Sequence, residues 1–381
     1  MNRFAYVAMK SSRLISLALA ASGDDQPTRQ RWRLVPIPVL TGVLAVIAAV
    51  ALAVFLSGCG GPSAGPGPTA SSRSAAPSAG PTYRVTATVR VGEFANPGGV
   101  AAEEGTYTVY VANNGDGTVS VIDALRRTVT ATVPVGKHPG GVAVDPGTHT
   151  VYVTNSDTVS VIDASTRTVT ATVPAGKGSW GVAVDPGTHI VYVANFDDGT
   201  VSVIDGATRT VIATVPVGKH PEAVAVDPGS HTVYAANLDD NTVSVIDAST
   251  RTVTATVAVG KHPEAVAVDP GTHTVYVANA DENTVSVIDA LTRTVTATVP
   301  VGKNPVGVAV DPGTRIVYVA NIVDGTVSVI DGATRTVIAT VPVGQTPYRV
   351  AVDPGTHTVY VTGSVPWRGV SSGGVSVIEF R

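Results

Sequence analysis

Metal binding or acid–base catalysis needs histidines and carboxylates that converge on one point, and this 381-residue sequence supplies both in recurrent form. Three of its eight histidines stand in the phrase GKHP (His138, His220, His262), and five close a short turn after "DPG" (His149, His189, His231, His273, His357). Copies repeated at a fixed period fall at the same place in different units, so they spread out rather than gather round one ion. Turn and surface roles are expected for them. The loops NFDDGT (195–200), NLDDNT (237–242) and NADENT (279–284) are rich in carboxylates. Calcium asks for six to eight oxygens wrapped round it, and each loop has too few at the wrong spacing. They read as aspartate-rich turns. No paired acid and base, nucleophile elbow or cofactor fingerprint occurs, so no catalytic residue, metal or cofactor is expected.

The elements that carry these residues are strands. Valine, threonine, alanine and glycine dominate and aromatics are 5%, an all-β composition. One phrase, VYVxN, recurs with its tyrosine at 110, 152, 192, 234, 276, 318 and 360, at spacings of 42, 40, 42, 42, 42 and 42. A period near forty filled by strand-like segments predicts propeller blades. Each unit holds four strands, here called a to d from the channel outward: AVAVD (265–269), TVYVAN (274–279), TVSVID (284–289) and TVTATVPV (294–301) in one copy. Between them, DPGTH places proline and glycine for a tight turn, the glycine to supply positive φ, and the aspartates of DENT and DALTR cap their own turns. A recurrent proline in strand d (Pro134, Pro174, Pro216, Pro300, Pro342) marks it as the outer edge.

The ends of the chain complement each other. The last unit stops after strand c, while YRVTATVRVG (83–92) is a strand d with nothing before it. Together they complete one blade, which predicts a seven-bladed ring closed by the N-terminal strand. VYVTN (151–155) with TVSVIDASTRTVTATVPVG-type continuations resembles the YVTN-type β-propeller repeat family, related to YncE-like proteins, over residues 83–381. The resemblance implies an extracytoplasmic seven-bladed propeller and no single reaction. Haem-containing reductase domains and lactone hydrolases occur in the wider superfamily, so a propeller enzyme using the channel mouth is the alternative reading.

Because the copies are nearly identical, the places where they differ are informative. The d-to-a and b-to-c loops share one face, the top, and most differences fall there. Just after the loop proline or its equivalent, the seven copies read Gly98, Gly140, Trp180, Glu222, Glu264, Val306 and Tyr348. The b-to-c loop of the last unit is long, GSVPWRGVSSGG (363–374), and carries Trp367. Aromatic and charged groups round a concave mouth suit ligand binding. Trp180, Glu222, Glu264, Tyr348 and Trp367 are therefore the candidate ligand-binding residues. Lys137, Lys177, Lys219, Lys261 and Lys303 add a partial ring on the same face, mixed with the aspartates.

The N-terminal 58 residues read as an address. Residues 34–56 carry no charge, follow the basic cluster Arg29, Arg31 and Arg33, and run into LSGC (56–59). The tetrapeptide resembles the lipobox of bacterial lipoprotein signal peptides, which implies lipidation at Cys59, the single cysteine. An uncleaved signal anchor over residues 1–58 is the other reading. Residues 59–82, rich in glycine, proline, serine and alanine, read as a flexible tether. Of 25 basic and 29 acidic residues, six and two lie in residues 1–58, leaving 19 minus 27, or −8, for the rest. That balance argues against nucleic-acid binding. The expected protein is a monomeric, non-enzymatic binding or scaffold propeller on the outer side of the cell membrane. It would be held there as a lipoprotein and meet an envelope polymer or surface protein through its top face.

Overall fold

The structure, a computed structural model, describes residues 82–92, 95–367 and 370–380. Cys59, the uncharged stretch before it and residues 60–81 lie outside them. All 28 elements among the described residues are strands, grouped in seven antiparallel sheets of four. Blades 1 to 6 each take four consecutive strands. Blade 5, for example, is built from a (Pro263–Asp269), b (Thr274–Asn279), c (Thr284–Asp289) and d (Thr294–Pro300). Blade 7 has strands a (Val350–Asp353), b (Thr358–Trp367) and c (Val370–Phe380) from the C-terminus and d (Tyr83–Gly92) from the N-terminal side. Tyr83 pairs with Phe380 and Val89 with Val375, so the ring closes as the sequence predicts.

Strands b and c are buried on both faces and strand d is largely exposed, consistent with its edge position and its proline. The apolar core is divided into seven clusters, one at each contact between neighbouring blades. Between blades 5 and 6, Tyr276 and Val287 meet Val317 and Ile330. Between blades 7 and 1, Tyr360 and Val377 meet Val109 and Ile122.

Two local expectations are corrected. In the DPGTH turn the left-handed residue is the histidine, with φ of 51° at His149 and 53° at His273, and not the glycine. Asp269 organises its turn by accepting the Gly271 amide at 3.0 Å and the Thr272 hydroxyl at 2.7 Å. The glycine serves close approach instead, because a Cβ on Gly229 would lie 3.1 Å from the ring of His273 in the next blade. The second correction concerns residues 363–374, expected as a loop. Strands b and c of blade 7 continue through it as a hairpin, with Ser364 opposite Gly373 and Trp367 opposite Val370.

Candidate functional site

In blades 1 to 6 the first strand enters the ring from the top through a β-bulge. The register breaks between Pro221 and Ala223, between Pro263 and Ala265, and between Ser179 and Val182. A bulge leaves its extra residue unpaired and re-aims the side chain. The bulged residues are Glu222, Glu264 and Trp180, which is why the variable position of the repeat can hold glycine in one copy and tryptophan in another without disturbing the ladder below. Tyr348 stands at the same place in blade 7, its amide bonded to the Thr362 carbonyl at 2.7 Å.

These four candidates come together at the mouth of the central channel. The Trp180 ring reaches back over blade 2, where a Cβ on Gly140 would lie 2.7 Å from Cε3. Trp180 and Tyr348 are half-buried, whereas Glu222 and Glu264 are only 2% and 6% exposed. The glutamates are thus inside the mouth and not on an open rim. For Trp367 the structure gives a strand position at the end of the blade 7 hairpin; its side chain lies outside the described residues.

The residue that organises the mouth is Arg349, which comparison of the bulge positions alone does not single out. Its signal lies one place further along the strand. There the other six copies read Gly99, Gly141, Gly181, Ala223, Ala265 and Gly307, and the seventh is arginine. Small residues are needed because neighbouring first strands nearly touch: a Cβ on Gly141 would sit 2.4 Å from the Trp180 carbonyl oxygen, and one on Gly181 2.8 Å from Cα of Ala223. Arg349 escapes by sending its side chain across the channel. One terminal nitrogen donates to the backbone carbonyls of Val306 and, at 3.4 Å, Glu264; the other donates to Oε1 of Glu222 at 3.0 Å. The guanidinium also lies 4.6 Å from the centre of the Tyr348 ring. Burial acts to lower the Arg349 pKa, but Tyr348, Glu222 and Glu264 outweigh it and hold the group charged, above its ordinary value.

Beneath this layer every blade contributes a valine, from Val100 in blade 1 to Val350 in blade 7. They floor a cavity of about 120 Å³ that is also lined by Trp180, Glu222 and Arg349. Pockets that enclose whole small-molecule ligands run to about 300–1,000 Å³.

The recurrent polar residues are committed to the ring itself. On the bottom, His189, His273 and His357 meet Asp145, Asp227 and Asp311 of the preceding blade at 2.7, 2.6 and 2.8 Å, and His149 meets Glu103 at 2.8 Å. On top, His220 pairs with Asp239 at 2.6 Å and stacks on Phe196 of the blade before, and His262 pairs with Asp281. Asp198, Asp240 and Asp324 accept the backbone amides of Lys177, Lys219 and Lys303. No group of three or more histidine, cysteine or acidic side chains arranged to hold a metal ion occurs among the described residues.

Comparison with known proteins agrees with this architecture. Residues 265–365 match a family model described as a YNCE-like beta-propeller. No curated protein sequence matches the chain. Among solved structures, hydrazine synthase of Kuenenia stuttgartiensis is similar in fold, with a TM-score of 0.65 at 20% identity over 72% of this chain and 94% of that one. At that identity the likeness is one of fold. The matched segment spans parts of blades 5 to 7, where the chain is similar to YncE-like propellers, and the repeat it contains is the unit from which all seven blades are made; the chain is a seven-bladed β-propeller.

Proposed function

We propose that this chain is a non-enzymatic binding module of the cell envelope, anchored through Cys59, whose ligand docks at the top mouth of the channel. The observation that carries this reading is that the repeat varies most at the bulged position, where Trp180 and Glu222 line one small cavity and Arg349 beside them contacts Tyr348 and the Glu264 carbonyl. The cavity has room for one projecting group and not for a whole substrate, which favours a ligand that covers the mouth. The charged groups inside are engaged with one another, Glu222 with Arg349, and so serve as fixed recognition elements.

Strand connectivity supports the same orientation. The N-terminal strand begins at Tyr83 beside Phe380 at the bottom and ends at Gly92 on top. The described chain therefore enters the ring at the bottom, the face opposite the mouth. The test is binding of the full chain to isolated cell-envelope fractions, compared with Trp180→Gly, which installs the residue that two sister copies carry. Parent binding that is lost in the variant is the expected result. Equal retention of the two proteins would refute the mouth as the binding site.

A further inference from the structure

In the strand b phrase VYVxN the variable residue is alanine in five copies (Ala112, Ala194, Ala236, Ala278, Ala320) and threonine in two, Thr154 and Thr362. All seven are fully buried, so neither hydroxyl serves solvent. Thr154 accepts the Gly141 amide of its own blade at 2.8 Å and donates to the Trp180 carbonyl of blade 3 at 2.6 Å. Thr362 likewise accepts the Arg349 amide at 3.0 Å and donates to the Gly98 carbonyl of blade 1 at 2.8 Å. The two exceptions thus stand beside Trp180 and Arg349, the side chains that reach over the mouth. The fold itself does not require the hydroxyl. In blade 2 the ladder between the first two strands is open from Pro139 to Val142, and blades 1 and 3 open it in the same way with Ala112 and Ala194.

Resting on the reading of the mouth as a binding site, we propose that Thr154 is the positioning residue of Trp180 and sets the direction in which its ring crosses the mouth. The backbone has two soft dihedrals per residue, and a buried hydroxyl 2.6 Å from the Trp180 carbonyl oxygen restrains one of them, ψ. A bulged residue lacks the ladder bond that would otherwise do this. With ψ held, the Cα–Cβ bond leaves in one direction, back over blade 2, where a Cβ on Gly140 would lie 2.7 Å from the ring. Blade 2 thus supplies both parts of a seat, a hydroxyl for the Trp180 backbone and a glycine under its ring. Blade 1 has the glycine, Gly98, with Ala112, and blade 7 has the hydroxyl, Thr362, with Tyr348. A ring seated before the ligand arrives has less freedom to lose on binding, which is what Thr154 contributes to recognition.

The experiment reads the fluorescence of Trp180 alone, in the full chain carrying Trp32→Phe and Trp367→Phe. Gly140→Ala, which crowds the ring, gives the signal of a displaced tryptophan. Thr154→Ala, which installs the residue of five sister copies, is expected to shift the emission and raise acrylamide quenching in the same sense, with loss of near-ultraviolet dichroism. Thr154→Val, of the same shape without the hydroxyl, should do likewise. Thr154→Ser, which keeps the hydroxyl, should restore the parent signal, and a single cooperative thermal transition verifies the fold of each variant. A Trp180 signal unaltered in the alanine and valine variants overturns the inference, as does a change that serine fails to restore. Envelope binding, measured with the other tryptophans intact, should weaken about three- to tenfold in Thr154→Ala, the effect of one hydrogen bond. If Trp180→Gly abolishes envelope binding while Thr154→Ala leaves signal and binding as in the parent, the positioning role falls and the binding site stands. If the Trp180 signal changes as expected but the parent binds no envelope fraction, the reverse holds.

Discussion

At the residue scale the repeat provides its own controls, and they do not all behave alike. Trp180 and Glu222 occupy equivalent bulges, and Gly98 and Gly140 show that the backbone there accepts glycine. Trp180→Gly should accordingly leave the melting temperature nearly unchanged. Glu222→Gly follows the same sequence logic but should not be neutral, because it strands the Arg349 guanidinium in a buried site. Removing one partner of a buried pair costs about 3–5 kcal/mol. Thermal unfolding of the two variants checks this, and adding Arg349→Met to Glu222→Gln should recover most of the loss. The bulge residues were legible in the sequence because the copies differ there. The partnership of Glu222 with Arg349 was not, since the two lie 127 positions apart and only the curvature of the ring brings them together.

The tyrosines of strand b give a second prediction at this scale. Burial, with a nearby aspartate adding to it, pushes the phenols of Tyr192, Tyr234 and Tyr360 up to about 12, against an ordinary value of about 10. The folded state thus keeps protons that the unfolded chain releases. This contribution to stability is complete below about pH 10 and is lost as pH rises through about 12. Denaturant midpoints should fall between about pH 9 and pH 11.5, and absorbance at the phenolate band should rise with unfolding and not before it.

At the scale of elements, strands were easy to read and turns less so. Alternating valine and threonine fix a strand whatever surrounds it. The role of the glycine in DPGTH depends on a histidine from the next blade, which a single repeat does not show. The hairpin of residues 363–374 was missed for a related reason: its glycines and serines are turn-formers in isolation, yet Ser372 is buried and its hydroxyl donates to the Gly92 carbonyl at 2.8 Å. That bond, with the Arg90 side chain donating to the Ser372 hydroxyl at 2.9 Å, ties the hairpin to the closing strand. Deleting residues 83–92 should remove strand d of blade 7, expose strand c as an apolar edge, and lower the melting temperature sharply or cause aggregation. Deleting residues 60–80 should do neither. Equal melting temperatures for the two truncations would show that closure is not what holds the ring.

At the scale of the whole molecule, the apolar core joins each blade to the next. The seven apolar clusters and the bottom histidine–carboxylate bonds all join one blade to the next. Arginines of the c-to-d turns do the same, with Arg209 and Arg293 donating to the Thr170 and Thr254 carbonyls one blade back. Among the described residues the ring is closed by strands from Tyr83 onward, and the N-terminal residues are proposed to serve location. Fold and address should then be separable by one substitution. Cys59→Ala should abolish labelling by a palmitate analogue and release the protein from the lipoprotein fraction, while the melting temperature of the purified protein stays that of the parent. Labelling of Cys59→Ala as strong as the parent's would overturn lipid attachment at this cysteine. A lowered melting temperature would mean that the N-terminal segment supports the ring, against the interface-by-interface account of its stability.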